Sequence, residues 1–286
     1  MSPEHATGST LTLHQVADRL GVHYMTVYRY IRTGRLPATK VGGEWQVAEG
    51  DVVAMETSPT AQRRVRQRRW DDLLVQRLIA GDEQGAWQVL QDCLASGRDP
   101  DAVYLEVIGP ALAAIGDGWA DGTIDVAEEH VASAIASRLL GRLGPLFGRR
   151  GRRRGVLILG APAGDLHSLP VTLLADPLRG RGFQVLDLGA DVPATSWAAA
   201  VARVDGLLAV GICATSTDDL DAVRSTVQAI HAATDAPVFV GGAAITDPAQ
   251  VQTLGVDHVT PSADAALALV EQLAAERRPG APSSAQ

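Results

Sequence analysis

A carboxylate and an imidazole stand two positions apart in the stretch GDLHSLP (164–170), directly after the aliphatic run GVLILGAP. Three kinds of chemistry are open to that pair. As a general base, His167 needs a nucleophile and an oxyanion site; Ser168 is its neighbour, but nothing around it resembles a nucleophile elbow. As a zinc ligand it needs Cys or His partners at tetrahedral-site spacing, and the two cysteines, Cys93 and Cys213, are far apart. As the one axial ligand of a metal already held in a macrocycle, it needs only a carboxylate to hold its other ring nitrogen. Asp165 is spaced for that task. The plain alternative is a loop histidine with no chemistry at all.

The elements around the pair decide whether it can act. Residues 155–276 alternate near-continuous apolar runs (VLILGAP, VLDLGADVP, LLAVGICAT, VFVGGAA) with amphipathic stretches. That pattern predicts a doubly wound parallel sheet covered by helices on both faces. Ligands of such sheets sit beyond the carboxyl ends of the strands. The small and polar segments fall at those ends, so one sheet edge collects Asp165, His167, Ser168, Leu169, Asp191, Cys213, Thr215, Ser216, Gly241 and Gly242. The glycine pair suits a place where a long ligand tail comes close to the backbone.

Residues 70–147 carry apolar positions at helical spacing: Leu73, Leu74 and Leu78, then Ala86, Val89 and Leu90, then Val103, Val107, Leu112 and Ile115. Breaks at Gly81, Gly97–Pro100 and Gly116–Gly118 divide them into a four-helix bundle. Its polar exception is GDGWADGTIDVAEEH, where Trp119 precedes Glu129 and His130 by ten and eleven positions. Taken singly, the tryptophan is a packing residue and the Glu-His pair is first-turn dipole chemistry.

Residues 1–57 divide into a helix capped by Thr12, a break at Gly21, and a second helix ended by Gly34. Two short strands then meet at Gly42-Gly43. This is a winged helix-turn-helix. The outward face of its second helix offers His23, Tyr24, Thr26, Arg29, Tyr30 and Arg32 to base edges, and Lys40 on the hairpin can meet phosphate. Arginine-rich joints at 58–69 and 148–154 separate the three segments, and residues 277–286 have the composition of a disordered tail. The second joint reads as plain linker. Net charge of −8 means that any polyanion contact must be local. Two cysteines make no disulfide framework, the N-terminus has no signal pattern, and no apolar run is long enough to span a bilayer. A cytoplasmic protein is expected.

The motifs together resemble a known family. The string TVYRYIRTGRLPATKVGGEWQV is similar to the excisionase and MerR-type helix-turn-helix. Asp165-Leu166-His167 with Gly241-Gly242 resembles the cobalamin-binding domain of the methionine synthase type. The spacing of Trp119 with Glu129-His130 resembles the helical domain of the CarH and LitR cobalamin-binding photoreceptor regulators. The resemblance implies a non-enzymatic, light-responsive regulator that binds adenosylcobalamin and operator DNA as a homo-oligomer, a dimer or tetramer in one state. It implies His167 as the cobalt ligand below, with Trp119, Glu129 and His130 above. Cys213-Ala214-Thr215 stands where the family has Ser-x-Leu, and Pro170 stands where it has glycine. The relatives also place a histidine after the tryptophan, where this chain has Ala120. That leaves His130 as its substitute, or a second chromophore such as biliverdin. A corrinoid carrier for a methyltransferase is the alternative that keeps the ligand and changes the task.

Overall fold

The computed structural model describes residues 10–20, 27, 28, 30, 31, 36–41, 44–57, 70–149, 151, 153–216, 220–245 and 253–277. The chain forms two units, Met1–Arg69 and Trp70–Gln286.

In the first unit, β1 (Thr10–Thr12) leads into α1 (Leu13–Leu20), and β2 (Thr39–Val41) and β3 (Glu44–Ala48) precede α2 (Glu49–Thr57). Thr12 caps α1 reciprocally: its hydroxyl accepts from the Gln15 N–H, and the Gln15 side chain accepts from the Thr12 N–H at 2.9 Å. Val16, Val27, Leu36, Val47 and Val52 are fully or almost fully buried around α1 and the helical residues 27, 28, 30 and 31. The expected β2–β3 hairpin forms, and β1 adds a strand on the other side of β3 that periodicity did not reveal.

The second unit begins with helices: α3 (70–79), α4 (Glu83–Ala95), α5 (Pro100–Val103) and α6 (Gly109–Asp121), then α7 (Val126–Leu143). A π-helical segment, Tyr104–Ile108, joins α5 to α6. The expected break at Gly116–Gly118 does not occur; α6 runs through it and ends at Gly122, whose φ of 81° makes the left-handed cap. Gly118 is a packing residue instead: a Cβ there would lie 2.7 Å from the Ile124 side chain. The predicted helical core holds, with Leu74, Leu78, Leu90, Val103, Val107 and Ile115 buried in one cluster.

The sheet follows. Strands β4 (Val156–Gly160), β5 (Gln184–Asp187), β6 (Leu207–Cys213), β7 (Val238–Gly241) and β8 (His258–Thr260) lie in the order β5-β4-β6-β7-β8, all parallel. Helices α8 (Leu169–Gly180) and α11 (Ala263–Glu276) share one buried cluster. Trp197 and Val201 of α9 (Ala194–Val201) share a second with Val223, Val227 and Ile230 of α10 (Leu220–His231). The winding reverses between β4 and β6, which opens a crevice at their carboxyl ends.

Helix α8 also packs on the bundle, where Leu169 and Leu173 lie against the helical core. Beneath them the Tyr104 hydroxyl donates to Asp176 Oδ2 at 2.8 Å, and Arg179 donates to Asp176 Oδ1 at 2.6 Å. Burial, then the Asp176 carboxylate, pushes the Tyr104 hydroxyl well above its ordinary range, so it stays a donor. Arg181 pairs with Asp101 at 2.6 Å across the same joint. Tyr104→Phe removes one donor from a buried carboxylate without changing the packed ring. It should cost about 1–3 kcal/mol, read as a lower urea midpoint for this unit.

Candidate cofactor site

The crevice is built on one carboxylate. Asp165 is 1% exposed and lies just past β4. Its Oδ1 accepts from the His167 backbone N–H at 3.0 Å and faces His167 Nδ1 at 2.8 Å. Its Oδ2 accepts from the Thr215 N–H at 2.6 Å, which ties the loop after β6 to the loop after β4. The Asp165 carbonyl accepts from the Asp191 N–H at 2.8 Å, which brings in the loop after β5. Asp191 returns the contact, its Oδ1 accepting from the Gly164 N–H at 2.8 Å. Asp191 holds the left-handed φ of 55°, an energetic cost that the two hydrogen bonds offset.

The geometry sets the state of His167. With Nδ1 donating to Asp165, the neutral ring keeps its lone pair on Nε2. The ring is 53% exposed, and Nε2 has no hydrogen-bond partner among the described residues. Among those residues no three His, Cys, Asp or Glu side chains gather as a ligand set for a metal ion. The site therefore presents one oriented imidazole nitrogen, the donor set suited to a metal that brings its other ligands with it.

The flanking residues differ in kind. Ser168 precedes α8 without a side-chain capping bond, and Leu169 turns toward the helical core. Cys213 is buried, and burial, then Asp165 and Asp187, pushes its thiol up to about 12, so it is a neutral wall and no thiolate. Ser216 is half-buried. Thr215 Oγ1 is buried with no hydrogen-bond partner among the described residues, an orphan beside the Asp165 anchor. That orphan fits a polar group of a bound ligand. The glycine pair is needed by the protein itself: a Cβ on Gly242 would lie 2.2 Å from the Ala214 carbonyl oxygen, and one on Gly241 2.6 Å from Thr260 Oγ1. The closest approach to these glycines comes from neighbouring strands and loops of the same sheet.

The bundle contributes a second group of residues. An Asp125–Glu128 capping box starts α7, and Glu129 and His130 follow on its next positions. His130 Nδ1 faces Glu129 Oε2 at 2.8 Å, and Ser133 donates to Glu129 Oε1 at 2.5 Å. Here too an imidazole is held by a carboxylate, though at an exposed place. Trp119 closes α6 with its ring 51% exposed. No hydrogen bond or ion pair joins Trp119, Glu129 or His130 to His167 among the described residues. Two exposed apolar residues that sequence reasoning passed over, Val126 at 57% and Leu166 at 74%, flank these groups. Nothing in their residue type marks them; only exposure does.

In the first unit, His23, Tyr24, Thr26, Arg29 and Arg32 lie outside the described residues. Tyr30 packs partly against the helix-turn-helix core, so part of its ring goes to packing rather than to base contact. Lys40 is exposed, with its ammonium 5.6 Å from the Trp45 ring centroid.

Family models match all three parts of the chain: a helix-turn-helix domain over residues 10–57, and B12 binding domains over 70–143 and 155–271. The chain is 31% identical over 215 residues to the HTH-type transcriptional repressor CarH of Myxococcus xanthus, covering 73% of this chain and 67% of that protein. It is 26% identical to trimethylamine corrinoid protein 2 of Methanosarcina mazei, over 66% of this chain and 89% of the relative. The fold is that of the monomethylamine corrinoid protein of Methanosarcina barkeri, with a TM-score of 0.58 at 19% identity over 72% of this chain and 99% of that one. A helix-turn-helix joined to two B12 binding domains, with this identity over this coverage, places the chain in the CarH-like family of cobalamin-binding regulators.

Proposed function

We propose that the protein is a light-responsive, adenosylcobalamin-dependent regulator of transcription, with no catalytic turnover of its own. The Asp165–His167 pair carries this reading: a buried, fully engaged carboxylate aims one imidazole nitrogen out of the crevice. His167 would hold the cofactor's metal from below. Thr215 and Ser216 would meet its polar tail, with Cys213, Asp191, Gly241 and Gly242 shaping the walls behind them. Trp119, Glu129 and His130 would cover its upper face, and the half-exposed Trp119 ring is an apolar surface that gains from such a partner. The bound cofactor would supply a cobalt–carbon bond that green light breaks. Ala120 would offer no ligand to the vacated face, and His130, held by Glu129, would be its substitute.

The chain's part is to convert that loss into DNA affinity. Helix α8 starts two residues after His167 and packs on the bundle, so a change at the imidazole reaches the surface on which Leu169 and Leu173 lie. Movement there would bias a dimer or tetramer equilibrium, and paired helix-turn-helix units bind paired half-sites. His23, Tyr24, Thr26, Arg29, Tyr30, Arg32 and Lys40 would form the operator surface. Among the described residues no helix is long and apolar enough to cross a membrane.

Two measurements check this reading. Adenosylcobalamin-loaded protein should change its visible spectrum, its size on gel filtration and its affinity for a DNA site selected from a random duplex library after green light. Identical dark and lit behaviour in all three overturns light response. Separately, His167→Ala should abolish the imidazole-ligated cobalamin spectrum. Asp165→Asn, which can still hydrogen-bond but carries no charge, should weaken cobalamin retention about 10–100-fold.

A corrinoid-carrier role is favoured by the similarity to the trimethylamine corrinoid protein, but a helix-turn-helix domain has no part in passing a methyl group. A methyl-transfer assay with His167→Ala as control separates the two.

A further inference from the structure

The described residues of the second arginine-rich joint are fixed to the sheet. Arg154 N–H donates to the Gly182 carbonyl at 3.0 Å, and its guanidinium forks onto Glu271 at 2.7 and 2.5 Å while lying 4.6 Å from the Phe183 ring centroid. Arg153 donates to the Gln184 side-chain oxygen, and a Cβ on Gly182 would lie 3.7 Å from the Arg149 stem. The joint thus wraps the amino-terminal edge of β4 and β5, the edge opposite the cofactor crevice. It borders an open cavity of about 550 Å³ lined by Arg149, Arg153, Arg154, Arg179, Phe183 and Gln184, with no carboxylate in its wall among the described residues.

The four guanidinium groups divide into two pairs. Arg154 and Arg179 are neutralised from behind by Glu271 and Asp176. Arg149 and Arg153 pair with no carboxylate among the described residues. A chain of net charge −8 therefore concentrates two uncompensated cations on the rim of a concave, polar cavity of small-molecule size. Guanidinium forks match phosphate oxygens geometrically as well as in charge. A duplex would need a long basic track, whereas the two unpaired guanidinium groups sit on the rim of one local concavity.

We propose that this cavity binds a phosphate-rich small molecule, with Arg149 and Arg153 as its direct ligands and the carboxylate-paired Arg154 and Arg179 as a fixed polar wall behind. Arg179 also holds Asp176, the acceptor of Tyr104, so an anion seated here adjoins the joint between sheet and bundle.

The test is isothermal titration of the full chain, cobalamin-loaded, with inorganic tripolyphosphate and with ATP. Both should bind saturably and more weakly as NaCl is raised. Arg149→Ala/Arg153→Ala should weaken both by at least about tenfold, and Arg203→Ala/Arg224→Ala, an equal charge change at two exposed arginines elsewhere, should stay within about twofold. Equal affinity for the two probes assigns recognition to the phosphate chain; tighter ATP adds a nucleoside contact. The proposal is overturned if neither probe binds, or if Arg203→Ala/Arg224→Ala loses as much as Arg149→Ala/Arg153→Ala. It is equally overturned if Arg149→Ala/Arg153→Ala weakens non-specific duplex binding and leaves tripolyphosphate unchanged, which would make the surface a nucleic-acid contact. The cofactor spectrum of Arg149→Ala/Arg153→Ala, read alongside, separates this outcome from any failure of the cobalamin site.

Discussion

Asp165 is the constraint on which the crevice depends. A carboxylate that is 1% exposed would be costly to bury alone, and every lone pair it spends is matched by a donor from the loops after β4 and β6. Its own carbonyl engages the loop after β5. One residue therefore fixes three loop ends, the tautomer of an imidazole and the direction of its lone pair. The burial that makes the carboxylate expensive also makes its hydrogen bonds strong and their geometry narrow.

A second buried carboxylate plays the matching part at the other end of α8. Asp176 is 5% exposed and takes donors from Tyr104 on the bundle and Arg179 on its own helix. Helix α8 thus begins beside the oriented imidazole and ends in a polar joint to the bundle, with Leu169 and Leu173 against the helical core between them. A rigid element anchored at both ends is a physical route by which an event at the crevice can reach the bundle.

Much of this was legible in residue types. The parallel sheet follows from near-continuous aliphatic runs, and all four of the runs read as strands contain one: β4, β5, β6 and β7. The Asp-x-His spacing is itself a local hydrogen-bond motif, because a carboxylate reaches the N–H and the ring two residues on. Other features were hidden. The three-residue strands Thr10–Thr12 and His258–Thr260 are too short to show alternation. Gly118 looked like a helix break because glycine is usually one; here its missing Cβ admits Ile124. At Gly241 and Gly242 the atoms a Cβ would meet belong to Thr260 and Ala214, which are distant in sequence.

The sequence by itself determined the order of the modules, the strand ends at which the small and polar residues collect and the pairing of Asp165 with His167, because each rests on periodicity or on contacts within two residues. Tertiary structure alone decided the third hydrogen bond to Asp165, the neutral Cys213 thiol, the burial of the Thr215 hydroxyl and the placing of Arg149, Arg153 and Arg154 in a cavity wall. Those depend on which loops meet at a parallel sheet's edges, and strand order across such a sheet is set by packing between residues far apart along the chain.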